Sequence, residues 1–454
     1  MRHLYLMRHA KAKSSRAELA DHRRPLRRRG RHQAEAMAAP LQQWGALAGD
    51  IHVSSARRTL QTLEAVDAVL PDLGVAERIQ LNEELYTFEG QALLEWLRGL
   101  PEESERVLVI GHNPALLQLA RWLCPEAPAS LPTGGLVHLV LPVGSWASLA
   151  RHCAELSSGI TPAEASHALF QRRAPAPPEL DKADPASRVH ALLSHQYRLI
   201  RALEPGVMAG VDPEFLHQYR VNLRRSRAIG ESLLAIAKVP GLKKRLKRLK
   251  RRAQATSELR DLHVFLESLA AQPAPLAERS RRALHDWLAA RERERHEALC
   301  RQLGDPEYAE EMAAWQAFLD GKRFQQALRG LDSKRVDQVL DERLAGHDRE
   351  LATLGVASPD AAFHDLRKGV KRIRYLAELD AKRHRRLLKG LKRRQGLLGD
   401  FQDLCTRQAW IEAFATDARH APRRRQECDA WCAALEEQKR ELREQITALA
   451  PLAS

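Results

Sequence analysis

His9 and His112 each come directly after a short apolar run, Leu4-Tyr5-Leu6-Met7 ahead of Arg8-His9 and Val107-Leu108-Val109-Ile110 ahead of Gly111-His112-Asn113-Pro114. A neutral imidazole is a nucleophile able to attack phosphorus, and a guanidinium grips phosphate oxygens in pairs. Arginines are at hand. Arg8 adjoins His9, and a third run, Ile51-His52-Val53, carries Ser54-Ser55-Ala56-Arg57-Arg58 into a helix start, where unpaired N–H groups favour anions. In an open α/β sheet, ligands bind beyond the carboxyl ends of the strands, so two histidines and two arginines are expected around one phosphate pocket.

The elements that must hold these groups follow from the periodicity. Strands are expected at 3–7, 51–54, 107–110, 136–141 and 146–150, with helical patterns near 31–44, 57–70, 91–97 and 115–123. Such alternation predicts an α/β domain over 1–155, a mostly parallel sheet with helices on both faces. At 156–185 Ala and Pro replace the periodic apolar residues, as in RRAPAPPELDKADP, which reads as an extended linker. From about residue 187 onward helical spacing runs to the end, broken at 204–213, 272–275, 304–306 and 358–359, which predicts a separate all-α domain over 186–454.

The formal charge of +15 is unevenly placed. Residues 1–155 hold 18 Lys/Arg against 17 Asp/Glu, and the remainder holds 55 against 41, so the excess cations belong to the helical part and point to an anionic partner there. The six cysteines are scattered without a C-x-x-C pair, as expected of reduced thiols in a cytoplasmic protein. No apolar run has the length of a membrane span or the form of a secretory signal, so no membrane partner is expected. Neither a G-x-x-x-x-G-K-[ST] loop nor an H-E-x-x-H motif occurs, and the phosphorus chemistry outlined requires no metal or other cofactor.

An internal repeat marks the helical part. His217, Arg220, Arg224 and Arg227 follow spacings of three, four and three, and His364, Arg367, Lys371 and Arg374 repeat them. Each set lies along one helix face, with Arg225 and Arg372 in a parallel position eight residues after each histidine. Asp261 and Asp403 follow downstream in Asp-Leu pairs. Two copies, about 187–340 and 341–454, predict a pseudo-twofold bundle whose basic faces meet. Like charges stacked along a helix repel, so such faces call for an anion between them. Further clusters at 243–252 and 382–394 add to the basic surface.

The ordered set LYLMRHAKA, RPLRRRGR at 24–31, SSARRTLQT at 54–62, VIGHNP at 109–114 and PTGG at 132–135 resembles the histidine phosphatase superfamily, in its SixA-type phosphohistidine phosphatase branch, over residues 1–150. The resemblance implies that His9 is the nucleophile, transiently phosphorylated before water releases phosphate; attack needs an unprotonated imidazole nitrogen, so activity is expected to fall at acid pH. It implies that Arg8 and Arg58 bind the equatorial oxygens, Arg58 rather than Arg57 because it stands four residues before Thr62, and that His112 completes the cradle. Glu83 and Glu84 fall where many relatives place an acidic proton donor, and the sequence does not choose between them. The labile P–N bond of phosphohistidine lessens the need for a strong acid.

The helical part resembles the CHAD family over about 186–451, through a histidine-bearing basic helix in each of two repeats followed by an Asp-Leu motif. That resemblance implies a pseudo-symmetric helical fold that binds inorganic polyphosphate in a basic groove. The implied ligands are His217, Arg220, Arg224, Arg227, His364, Arg367, Lys371 and Arg374, with Arg225, Lys368 and Arg372 as additions. Nucleic acid ranks second as a partner, because single-strand binders add aromatic platforms and aromatics are only 5% of this chain. The combined expectation is a phosphohistidine or phosphomonoester hydrolase tethered to polyphosphate, at granules of that polymer, with a phosphohistidine-carrying protein as substrate. The alternatives are hydrolysis of polyphosphate itself and a non-enzymatic scaffold binding polyphosphate or nucleic acid.

Overall fold

The computed structural model describes residues 1–14, 20–180, 184–331, 333–417 and 422–453. Contacts divide the chain into two units, Met1–Ala174 with Pro205–Glu214, and Pro175–Glu204 with Phe215–Ser454.

The first unit is built on six strands, β1 (Arg2–Arg8), β2 (Asp50–Ser54), β3 (Ile79–Asn82), β4 (Arg106–Gly111), β5 (Leu136–Leu141) and β6 (Glu155–Ile160), in the order β3-β2-β4-β1-β5-β6. The first four strands pair in parallel, and β5 and β6 run antiparallel at one edge. β1 and β4 lie centrally and are apolar on both faces, as a sheet covered on both sides requires. Leu4, Leu6, Val107 and Val109 pack with helices α4 (Gly90–Arg98) and α5 (Ala115–Leu123). Tyr5, Met7, Leu108 and Ile110 pack on the opposite face with α1 (Arg28–Ala36), α2 (Ala38–Gln43) and α3 (Arg57–Asp67). The mostly parallel sheet with helices on both faces is therefore present.

Three local expectations change. Residues 146–150 are not a strand: Trp146–Ser148 forms a short 3-10 turn, and Trp146 is a core plug whose Nε1 donates to Ser104 O at 2.7 Å. The last strand is β6, inside the stretch read as linker, followed by the short helices α6 (Pro162–Ala165) and α7 (His167–Phe170). As an edge strand built from Ser157, Ser158 and Gly159 it carries little apolar signal. β3 went unread for the same reason, since its residues are exposed or half-buried.

After residue 184 every described element is helical, and all but 205–214 of this stretch belongs to the second unit. It opens with α8 (Pro185–Ala209), α9 (Pro213–Ile236), α10 (Leu242–Ala255), α11 (Ser257–Ala271) and α12 (Glu278–Gly304). It continues with α13 (Pro306–Leu319), α14 (Lys322–Arg329), α15 (Ser333–Ala352), α16 (Asp360–Ala377), α17 (Arg385–Asp417) and α18 (Pro422–Thr447). The break expected at 204–213 is narrower, because Pro205 lies inside α8 and the chain turns only after Ala209. α9 and α10 approach closely through Gly230, where an added Cβ would sit 2.4 Å from Leu246 Cδ2.

Candidate functional site

Three parallel strands deliver the cradle. β1 ends at Arg8 and hands over to His9, β4 ends at Gly111 and hands over to His112, and β2 ends at Ser54, from which the chain turns into α3 with Arg58 in its first turn. His9 N donates to Gly111 O at 3.1 Å, which locks the two histidine-bearing turns together. Gly134, with φ of 77°, donates its N–H to Arg8 O at 3.0 Å and His9 O at 3.2 Å. A Cβ at Gly134 would meet Pro162 Cγ at 2.7 Å, so the close approach needs glycine.

The hydrogen bonds assign both tautomers. A carbonyl oxygen only accepts, so His9 Nδ1 carries a proton and donates to Ala10 O at 2.8 Å, leaving the lone pair on Nε2. Arg58 Nε points at that lone pair at 3.2 Å. Arg58 Nη2 donates to His112 Nδ1 at 3.2 Å, so His112 carries its proton on Nε2 and bonds Ser54 Oγ at 2.8 Å. His9 and His112 ring centroids are 5.2 Å apart, and Arg58 is only 1% exposed. Arg8 donates to Leu131 O at 3.0 Å and its own charge is disfavoured by burial. Arg57, by contrast, is exposed.

Burial, with the charges of Arg58 and Arg8, holds His9 down from 6.5 to about 4. Burial, then Arg58, His9 and Arg8, hold His112 down to about 3. The lowered value means that His9 stays neutral at any pH above about 4, so the acid limit expected from an ordinary histidine moves down by more than two pH units. Histidine C–H resonances of the protein are therefore expected to leave His9 and His112 untitrated at pH 6. Titration of either near 6.5 would contradict this cradle. Inorganic phosphate, which offsets the two guanidiniums, is expected to raise both midpoints.

The sequence reading missed Asp21. Its carboxylate accepts from Arg58 Nη2 at 3.0 Å and Tyr86 OH at 2.8 Å, and it pairs with Arg24 at 2.7 Å. Although partial burial opposes it, the bonds from Tyr86 and the charges of Arg58 and Arg24 hold this carboxyl below its ordinary range. It is a counter-ion that aims Arg58, not a proton donor. Glu83 and Glu84 are exposed, and among the described residues no hydrogen bond or ion pair joins either to the cradle. The turn that bonds Tyr86 N to Glu83 O at 2.8 Å directs Tyr86 to Asp21 instead. Asp21→Asn is expected to lower kcat about tenfold, the scale of about 1.4 kcal/mol for one charge-assisted bond. Because it leaves Arg58 without its counter-charge, inhibition by inorganic phosphate should strengthen and His112 should titrate lower still. Unchanged kcat and phosphate inhibition would remove Asp21 from the site.

In the helical unit the two matched helices are α9 and α16, and their basic residues come within electrostatic reach of each other. Burial, then Arg224, Arg367 and Arg374, push Lys371 down to about 6. Arg367 is lowered by burial and then by Arg224. Arg220, lowered to about 10 by burial, donates to Thr256 Oγ1 at 2.8 Å, Ser257 Oγ at 3.1 Å and Ala253 O at 3.2 Å. Among the described residues none of Arg220, Arg224, Arg367 and Lys371 forms an ion pair with a carboxylate. Lys439, a buried cation of the same unit, is by contrast paired with Asp360 at 2.6 Å and Glu436 at 2.9 Å. Asp261 of α11 and Asp403 of α17 stand near the cationic set, and burial pushes both carboxyls up, Asp403 while still open to solvent.

The remaining expected ligands are placed differently. His217 is half-buried, and His364 hydrogen-bonds Gln402 Oε1. Arg227 pairs with Glu231 at 3.2 Å, and Arg374 with Glu378 at 3.0 Å and Gln395 at 3.2 Å. Arg225, Lys368 and Arg372 are exposed, and Lys368 is held by Asp365 at 2.9 Å.

The model of the histidine phosphatase superfamily (branch 1) matches residues 4–126, and that of the CHAD domain matches residues 191–412. No curated protein matches. Among solved structures, one described as phosphohistidine phosphatase SixA of Nakamurella multipartitia is 30% identical over 36% of this chain and 96% of its own, with a TM-score of 0.30. A protein histidine phosphatase SixA complexed with tungstate is 26% identical over 36% of this chain and 99% of its own, with a TM-score of 0.31. The CHAD domain of the plant Ricinus communis is 22% identical over 61% of this chain and 96% of its own, with a TM-score of 0.51, a likeness of fold. Among the described residues no helix is long and apolar enough to cross a membrane.

Proposed function

Since the chain joins a phosphatase domain of the histidine phosphatase superfamily to a CHAD domain, we propose that the first hydrolyses phosphohistidine on a protein and the second holds that activity on inorganic polyphosphate. The observation that carries the first half is the lone pair of His9 Nε2, neutral down to about pH 4 and facing Arg58. That nitrogen forms a bond to phosphorus as the P–N bond of the substrate breaks. The departing imidazole keeps the electron pair, and a proton on its other nitrogen lets it leave neutral. Arg58 and Arg8 carry the charge on the equatorial oxygens, and His112 donates to one of them once the phosphoryl group raises its basicity. Water then attacks the phosphorylated His9, releasing phosphate and restoring the imidazole.

The four half-buried cations without a carboxylate partner support the second half. Gathering them costs desolvation and mutual repulsion, which a linear polyanion offsets while releasing its counterions. Tethering would raise the local concentration of phosphatase on clients near polyphosphate granules in the cytoplasm. Incubating the full chain with a phosphohistidine protein, a small phosphomonoester and long-chain polyphosphate tests the assignment. Phosphate release is expected from the phosphohistidine protein. Release from polyphosphate alone would favour hydrolysis of the polymer, and no release from any of the three would favour a scaffold.

A further inference from the structure

Beside the cradle stands a side chain that the proposed reaction leaves unused. Phe88 is 43% exposed, the only exposed Phe, Trp or Tyr among the described residues. An isolated surface aromatic needs no explanation. This one is not isolated. Its ring lies 5.4 Å from that of His112 and 5.6 Å from that of Tyr86, centroid to centroid. Tyr86 in turn meets His112 edge-on at 5.3 Å and His22 at 4.8 Å. The rings run from His9 to His112 and on to Phe88, with only Phe88 among the three reaching solvent.

The geometry bears on the leaving group. In-line transfer puts the departing atom across phosphorus from the attacking His9 Nε2. His112 flanks the phosphoryl site, and Phe88 is the exposed apolar side chain in ring contact with it. A leaving group that departs past His112 therefore meets an apolar ring. Glu83, Glu84 and Glu89 nearby are all exposed, so the ring itself is the feature a neutral partner would meet. A flat, uncharged heterocycle gains from stacking there, whereas ammonia or a hydrated phosphate chain gains nothing.

We propose that Phe88 is a specificity-determining residue that stacks on the imidazole of the departing histidine and so selects phosphohistidine over phosphoryl donors lacking a ring. The inference rests on the phosphohistidine reading of the same site. Its size follows from that of aromatic pairs, about two- to tenfold in kcat/KM.

The test compares phosphoimidazole with phosphoramidate, whose leaving group is ammonia, in the full chain and in its Phe88→Ala and Phe88→Trp variants. Phe88→Ala is expected to lower kcat/KM for phosphoimidazole by about two- to tenfold and leave phosphoramidate unchanged. Phe88→Trp should keep the preference, because the larger ring still stacks. Equal losses on both compounds, or none on either, would overturn the role of Phe88 while the phosphohistidine reading stands. If the unaltered protein turned over neither compound, the reading and the inference would fall together.

Discussion

His9→Ala is expected to cut phosphate release by about 10⁴-fold or more, a loss of about 5.4 kcal/mol in transition-state stabilisation, with polyphosphate binding unchanged. The size follows from the position of the side chain. His9 Nε2 is the one lone pair on which Arg58 Nε converges, so its removal deletes the bond-forming atom, and no neighbour replaces it. His112 does not substitute in the proposed reaction, where it is the group that holds a phosphoryl oxygen, with its Nδ1 facing Arg58 Nη2 at 3.2 Å and its Nε2 bonded to Ser54 Oγ at 2.8 Å. A His9→Ala protein that kept a tenth of its activity would place the nucleophile elsewhere.

The second large effect belongs to the basic residues of α9 and α16. Replacing Arg224, Arg367 and Lys371 together by glutamine should weaken polyphosphate binding by at least about 100-fold, since each charge-assisted contact contributes about 1.5–3 kcal/mol. The logarithmic salt slope should fall by about 2, at about 0.7 per cation removed. Misfolding is not the expected outcome: the three cations repel one another, so neutral side chains of similar length should leave the melting temperature unchanged or raise it. Binding should also depend on pH. Lys371, held down to about 6 by burial and by Arg224, Arg367 and Arg374, is mostly uncharged at pH 8. A polyanion favours its charged form, so binding takes up a proton and affinity rises as pH falls from 8 towards 6, by at most about tenfold per unit for one proton. Isothermal titration in buffers of different ionisation enthalpy reads that proton directly. Affinity that ignored the triple substitution would move the polyanion site off these helices.

Much of the phosphatase site was legible because strands β1, β2 and β4 are short apolar runs with chemistry-bearing residues directly at their ends. The family resemblance separated Arg58 from Arg57, and the structure buries the one and exposes the other. Asp21 was not legible. It lies in a stretch crowded with charges, and what singles it out is tertiary, the meeting of Arg58, Arg24 and Tyr86 on one carboxylate. Glu83 and Glu84 looked eligible by position, yet a single turn swings Tyr86 to the site and the glutamates to solvent. In the helical unit the duplicated spacing identified two helices whose basic residues stand within electrostatic reach of each other. It could not rank positions one step away, since consecutive residues lie about 100° apart around a helix. Arg225, Lys368 and Arg372 are rotated out by that step. β6 hid in a Ser/Gly stretch because an edge strand needs only one apolar face.

The most direct test is to trap the covalent intermediate. Full-length protein mixed with a radiolabelled phosphohistidine donor and quenched within milliseconds is expected to carry label, stable to alkali and lost in acid, on Nε2 of His9. Turnover without label on the protein, or label on any residue other than His9, would contradict the account.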